Sequence, residues 1–194
     1  MEDTPSISNN MTPIWQFGDF HIQFQKRPLI MGIVNVTPDS FSDGGSFLLT
    51  ERAVNQAKAL VQEGAQFIDI GGESTRPGAS PVAARDELSR VIPVLEALAT
   101  EIDVPVSIDT SKAVVARHAL EAGASIINDV TGLEGDPEMP GVATDFDAGI
   151  IIMHMKGTPL TMQQNPQYDD VTVEVAHYLE SRIFQLNQQG IDPS

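Results

Sequence analysis

EGAQFIDI, residues Glu63–Ile70, is a glycine stop that runs directly into an apolar strand. The same step recurs as AGASIIND over Ala122–Asp129 and as AGIIIMHM over Ala148–Met155. Glycine just past a helix supplies the left-handed residue of a C-cap, and Gly64, Gly123, Gly149 and Gly190 all hold that position. A short apolar run bounded by turn residues reads as a strand buried on both faces.

Each step is preceded by a helical pattern. Thr50–Glu63 puts Ala53, Val54, Ala57, Leu60 and Val61 on one face, with Thr50 as the expected N-cap. Further helices are expected over 82–99, bent near Pro93, and over 111–122, 140–146 and 169–189. Strands are expected over Leu29–Val34, Gln66–Ile70, Val104–Ile108, Ser125–Asn128 and Gly149–Met153. Strand and helix alternating in this way imply a parallel sheet with right-handed crossovers. Five units are fewer than the eight, over about 250 residues, of a closed barrel. The pattern is therefore a small open α/β sheet or the first five-eighths of a (β/α)8 TIM-type barrel. The fourth helix–glycine step, QGIDPS at Gln189–Ser194, favours the incomplete barrel.

Ahead of the repeat, Ile14–Gln25 alternates apolar and polar residues around Gly18-Asp19, which predicts a β-hairpin. Trp15 and Phe17 suit it to capping a larger core. Residues 1–12 carry almost nothing to bury and are expected to be disordered. The remainder, 13–194, reads as one domain.

The 194 residues are 41% hydrophobic and include no cysteine, which excludes disulfides, thiolate chemistry and Cys-bearing metal sites. A net charge of −16, from 27 acidic and 11 basic residues, argues against nucleic acid as a partner. There is no signal-peptide pattern and no apolar run of membrane-spanning length, so a cytoplasmic protein is expected. If the ligand is a phosphate ester, a few cations such as Arg76 must attract it.

Every strand delivers polar residues at its carboxyl end, the position where barrels gather their active sites. Asn35 leaves the first strand, Asp69 and the loop GGESTRPG the second, Asp109-Thr110 the third, Asn128-Asp129 the fourth and His154 the fifth. Asn35 is either a neutral oxygen ligand suited to Mg²⁺ or a strand-end turn cap. Thr75 and Arg76 offer a hydroxyl and a guanidinium fork to phosphate oxygens, although a surface salt bridge also accounts for Arg76. Asp69 is expected to be buried in a structural or supporting role. Asp109 and Asn128, facing one pocket, match the donor and acceptor edge of a flat nitrogen heterocycle. His154 reads as a structural residue, and Lys112 as a solvated helix opener close to Asp109.

Taken in order, these segments resemble dihydropteroate synthases. The blocks are IMGIVNVTPDSFSDGG, GAQFIDIGGESTRPGA, VSIDTSK, IINDV, and MHMKGTPLTMQ with YDDV. The resemblance covers about Pro28 to Gly190 and implies a folate-pathway transferase of the β/α-barrel fold, the target of sulfonamides. Such an enzyme condenses 6-hydroxymethyl-7,8-dihydropterin diphosphate with p-aminobenzoate and releases diphosphate. The resemblance implies that Asn35 meets Mg²⁺ and the diphosphate, and that Thr75 and Arg76 contact the diphosphate. It likewise implies that Asp109 and Asn128 read the pterin, with Phe41 and Pro77 lining the p-aminobenzoate pocket. Arg76 and Asp109 are the residues expected to carry the chemistry.

The family continues with three further units bearing a second pterin-reading Asp, a Lys and an Arg-x-His phosphate clamp, which this sequence does not include. Exposed sheet edges and a tendency to aggregate are expected of the isolated chain, and the family's homodimer contacts are expected to lie in the missing helices. Two alternatives stand beside a synthase. One is a non-catalytic pterin-binding fragment; the other is a pterin-dependent methyltransferase of the same fold.

Overall fold

Parallel strands cannot be joined by tight turns, so each crossover carries a helix that must cover an apolar face of the sheet. The computed structural model describes residues 13–24, 27–37, 46–73, 81–158 and 161–193. It opens with β1 (Ile14–Phe17) and β2 (Phe20–Gln23). The strands β3 (Met31–Asn35), β4 (Phe67–Gly71), β5 (Val106–Asp109), β6 (Ile126–Asp129) and β7 (Gly149–Ile152) then alternate with helices. These are α1 (Ser46–Gln62), α2 (Ala84–Leu98), α3 (Ala113–Glu121), α4 (Met139–Asp145) and α5 (Val171–Gln188).

The five parallel strands pair strictly in chain order, β3-β4-β5-β6-β7. With right-handed crossovers that order puts every helix on the same face, the arrangement of a β/α barrel and not of a doubly wound sheet. Val34, Ile70, Ile108 and Ile127 stand in one register row. They are fully buried in one core with Ala53 and Ala57 of α1, Val91 and Leu95 of α2, and Val115 and Ala119 of α3.

Side chains alternate between faces along a strand, so the inner face carries two other rows. The lower row is Ile33, Asp69, Ser107, Ile126 and Gly149. The antiparallel β1–β2 hairpin closes beneath it, and Phe17, Phe67 and Ile126 form a second core with Trp15, Ile22 and Met31 around them. The expected capping role of the hairpin is thus observed. Its Gly18 N–H donates to the backbone oxygen of Asp147 at 3.0 Å.

Three expectations need correction. β3 is buried on one face only: Val34 is enclosed by helices, while Ile33 on the inner face is 58% exposed. Helix α1 begins at Ser46, a turn ahead of Thr50, because Leu48 and Leu49 extend the helical pattern toward the amino terminus. Gly64, Gly123 and Gly190 have the positive φ of a C-cap, but Gly149 does not. Asp147 (φ 48°) takes the left-handed position after α4, and Gly149 serves another purpose. A Cβ there would lie 2.9 Å from ring atoms of both Trp15 and Phe17, so the missing side chain admits the hairpin. The other element ends fall within about two residues of expectation, and α2 continues through Pro93. The segment 1–12 lies outside the described residues.

Candidate functional site

The upper inner row crosses all five strands at their carboxyl ends: Asn35, Gly71, Asp109, Asn128 and Ile151. Glycine in the second place leaves a gap between two polar side chains. A Cβ on Gly71 would lie 3.2 Å from Asn35 Oδ1 and 3.6 Å from Asp109 Oδ2.

Asp69 sits one level below, in the lower row, and is 3% exposed. Its carboxylate accepts from the Ser107 hydroxyl and, at 3.2 Å, from Nδ2 of Asn128. Burial raises the Asp69 pKa against the opposing pull of those two hydrogen bonds. Only the nitrogen end of an amide can donate to a carboxylate. Asn128 is therefore held in a fixed orientation, its oxygen and second N–H making no hydrogen bond among the described residues. Asp109 beside it makes no side-chain hydrogen bond among the described residues. Burial, then the charges of Asp69, Glu87, Asp129 and Glu73, push its carboxyl from 3.8 up to about 7. A half-buried carboxylate in that condition attracts a cation or an N–H donor.

The surrounding loops are fixed from beneath. Asp129 accepts from the amides of Thr131 and Leu133, at 2.8 and 3.0 Å. Arg182 of α5, itself buried, donates to the carbonyls of Gly132 and Leu133. At the exit of β4, Arg90 donates to the Gly72 carbonyl at 2.7 Å. Lys112, expected in solvent, is instead half-buried and donates to Glu73 and, at 2.6 Å, to Glu87. His154 lies edge-on to Tyr178 with ring centroids 5.1 Å apart, in keeping with a structural role.

The structure therefore brings Asn35, Asp109 and Asn128 into one row, with Asp69 holding Asn128. Phe41, Thr75, Arg76 and Pro77 lie outside the described residues. Sequence reasoning missed Gly71 as the gap in the row, Ser107 as the second partner of Asp69, and the Glu73–Lys112–Glu87 cluster. The inward period-two register of FIDIGG and VSID could have exposed the first two. The cluster has no such signal, since its members are 14 to 39 positions apart in the sequence. No group of three or more His, Asp or Glu side chains able to hold a metal occurs among the described residues. Nor is any described helix long and apolar enough to cross a membrane.

Hydrogen-bonding side chains at the carboxyl ends of consecutive parallel strands stand where β/α barrels gather their ligand sites. The profile of the family described as pterin binding enzyme matches residues 31–194, and the chain belongs to that family. It is 44% identical over 193 residues to the dihydropteroate synthase of Synechocystis sp., covering 100% of this chain and 67% of that protein. With the dihydropteroate synthase of Escherichia coli it shares 48% identity over 165 residues, covering 85% and 58%. The fold matches a Yersinia pestis dihydropteroate synthase solved in a sulfonamide drug complex, with a TM-score of 0.84 and 42% identity over 93% of this chain and 65% of that one. A Xanthomonas albilineans dihydropteroate synthase with 4-aminobenzoic acid gives 0.83 and 45%, over 94% and 64%. The chain thus spans between 58% and 67% of the length of these relatives.

Proposed function

We propose that the site binds 6-hydroxymethyl-7,8-dihydropterin diphosphate and couples its pterinylmethyl group to p-aminobenzoate, releasing diphosphate. The observation that carries this reading is the upper row, in which Asp109 and the oriented Asn128 stand side by side next to the gap at Gly71. Their acceptors and remaining N–H suit the edge of a flat nitrogen heterocycle, and a buried site that leaves such groups unpaired discriminates strongly.

The bond between the methylene carbon and the diphosphate oxygen breaks with its electron pair leaving on oxygen. The resulting cation is delocalised over the pterin and lies near the Asp109 carboxylate, whose environment is rich in negative charge. The amine of p-aminobenzoate then forms the new C–N bond and loses a proton to water. By resemblance, Thr75 and Arg76 hold the leaving diphosphate, and Phe41 and Pro77 border the arylamine.

Asn35 fits a place beside a divalent cation in one respect: its exposed amide oxygen stands at the rim of the gap. The described residues offer no cluster of charged ligands there, so a Mg²⁺ held by Asn35 would draw its other ligands from phosphate oxygens and water. Bound in that way, Mg²⁺ would neutralise charge on the departing diphosphate.

The test is incubation with both substrates and detection of dihydropteroate by mass spectrometry, alongside titration of the pterin diphosphate by calorimetry. Product that disappears in Asp109→Ala and Asn128→Ala is the expected result. The span of 58–67% of the relatives' length favours a second reading, pterin binding without turnover. Saturable binding with no product would establish that reading, and the absence of both would overturn the two together.

A further inference from the structure

Leu133 carries a backbone conformation that its side chain does not favour. Its φ is 64°, in the left-handed region where a Cβ is crowded, and Gly132 before it has φ 63°. Leu133 is also buried, so this is a packed turn and not a loose surface loop. Two buried charged side chains hold it. Asp129 accepts from the amides of Thr131 and Leu133 through its carboxylate, and from the Gly132 N–H at 2.9 Å through its carbonyl. Arg182 of α5 spans both left-handed residues: Nε donates to the Gly132 carbonyl and Nη2 to that of Leu133, at 2.9 Å. Its third arm, Nη1, donates to Gln185 Oε1 at 2.9 Å and so sets the plane of the guanidinium. Burial raises the Asp129 pKa, and the bonds from Thr131 and Leu133, then the Arg182 charge, pull it back. A desolvated ion pair around a strained turn is costly, and apolar side chains serve stability at least as well in such places. Strain of this kind gathers at functional sites, and the turn follows directly on Asn128.

We propose that Arg182 is a positioning residue for Asn128: its guanidinium clamps the turn at Gly132-Leu133, and the clamped turn, through Asp129, fixes the end of β6 on which Asn128 stands. The ligand that Asn128 meets rests on the synthase reading, and the mechanics rest on the geometry alone. Asp129 follows Asn128 in β6, so a turn that grips Asp129 by both carboxylate and carbonyl limits how far the strand end can twist. Asn128 needs that restraint, because its side-chain amide makes a single hydrogen bond among the described residues, to Asp69. Tyr178, one turn before Arg182 on α5, closes over the same place: a Cβ on Gly132 would lie 2.8 Å from its hydroxyl oxygen. A planar fork that meets two carbonyls orients them as a point charge cannot. Fixing the amide before the ligand arrives removes an ordering cost from binding.

The experiment follows hydrogen exchange by NMR in the ligand-free chain and titrates 6-hydroxymethyl-7,8-dihydropterin by calorimetry, for the wild type, Arg182→Lys and Gly132→Ala. Arg182→Lys keeps the charge facing Asp129 and loses the fork. Gly132→Ala leaves every charge in place and disturbs the same turn, through its φ and its contact with Tyr178. In both variants the Nδ2 hydrogen that Asn128 shares with Asp69 should exchange about tenfold faster. The Val36 amide, which donates to the Gly71 carbonyl at 2.7 Å on the far side of the row, should stay within about twofold. Pterin affinity should fall by about tenfold, a loss typical of slight misplacement. A merely structural role would speed both hydrogens together, and that result overturns the inference. So does an Asn128 hydrogen unchanged in either variant, or full pterin affinity in the variants of a chain that binds it. Should Arg182→Lys fail to fold, Gly132→Ala decides alone. A wild type that binds no pterin counts against the synthase reading only, and exchange at Asn128 still decides the inference.

Discussion

Asn128 donates its side-chain N–H to Oδ2 of Asp69 at 3.2 Å, reaching from β6 across the inner face of β5 to β4. The bond joins the upper row to the lower one, so a buried carboxylate sets the orientation of an amide at the proposed pterin site. Asp69→Ala should therefore weaken pterin binding by about 1.5–3 kcal/mol, the cost of losing a hydrogen bond to a charged group, even with Asp109 and Asn128 intact. Asp69→Asn should act differently. It removes the largest nearby charge that raises the Asp109 pKa, so the midpoint of any Asp109-dependent binding profile should move below pH 7. Calorimetric titration of a dihydropterin between pH 5 and 8 measures both effects.

Asp109 should also make the ligand-free protein sensitive to alkali. Its folded-state pKa of about 7 lies above the ordinary 3.8, so the folded state holds the proton more tightly than the unfolded chain. The resulting penalty is small below about pH 4, grows as the pH rises toward 7 and is complete above it, where it amounts to roughly 4 kcal/mol. Asp109→Asn removes the titrating group. The variant should gain stability over the wild type, with a gain about 2–3 kcal/mol greater at pH 8 than at pH 5, while losing pterin binding. Urea denaturation at the two pH values provides the measurement. A gain independent of pH would show that the carboxyl titrates normally.

The fold was legible because each glycine-to-strand step is local: stop signal, apolar run and polar exit occupy eight consecutive residues in EGAQFIDI and AGASIIND. The places of Asp109 and Asn128 were legible for the same reason, at the carboxyl ends of short strands. The exposure of Ile33 was not, since the run from Leu29 to Val34 is equally apolar whether one face is covered or both. The start of α1 was expected at Thr50, a cap-forming residue type, although Thr50 lies inside a helix that begins at Ser46. Lys112 could not be placed from the sequence, because Glu87 lies 25 positions before it and nothing in a local pattern announces that an exposed-looking glutamate is fully buried. Gly149 looked like its counterparts Gly64 and Gly123, and only the aromatic rings of a distant hairpin reveal the difference.

Gly71 and Gly72 are neighbours with opposite expected sensitivities. At Gly71 a methyl group would enter the gap in the upper row, 3.2 Å from Asn35 Oδ1, and touch little of the core. Gly71→Ala should leave the unfolding midpoint nearly unchanged and weaken ligand binding by about tenfold or more, since the added carbon occupies ligand space. At Gly72 it would lie 2.7 Å from Val91 Cγ1, in packed surroundings on the helix side. Gly72→Ala should cost about 1–3 kcal/mol of stability through overpacking. Thermal unfolding and ligand titration of the two variants, measured together, separate a site glycine from a packing glycine.

Gly149→Ala tests whether the hairpin is a docked cap. The new Cβ would fall 2.9 Å from atoms of both the Trp15 and Phe17 rings, whose centroids are 4.6 Å apart and which pack on Phe67 and Ile126. Those rings are held on two sides, by each other and by the inner face of the sheet, so they cannot yield without shifting the hairpin as a unit. The hydrogen bond from Gly18 to the Asp147 carbonyl, near the far end of the same contact, would loosen with it. Trp15 is the sole tryptophan of the chain, which makes its fluorescence a direct report on docking. Gly149→Ala should shift that emission toward the red and lower stability by about 1–3 kcal/mol. Affinity for a dihydropterin should change little, because Asp109 and Asn128 stand in the upper row and Gly149 in the lower one. A variant that loses pterin binding while its tryptophan emission stays unchanged would mean that β7, and not the hairpin, absorbs the added methyl group.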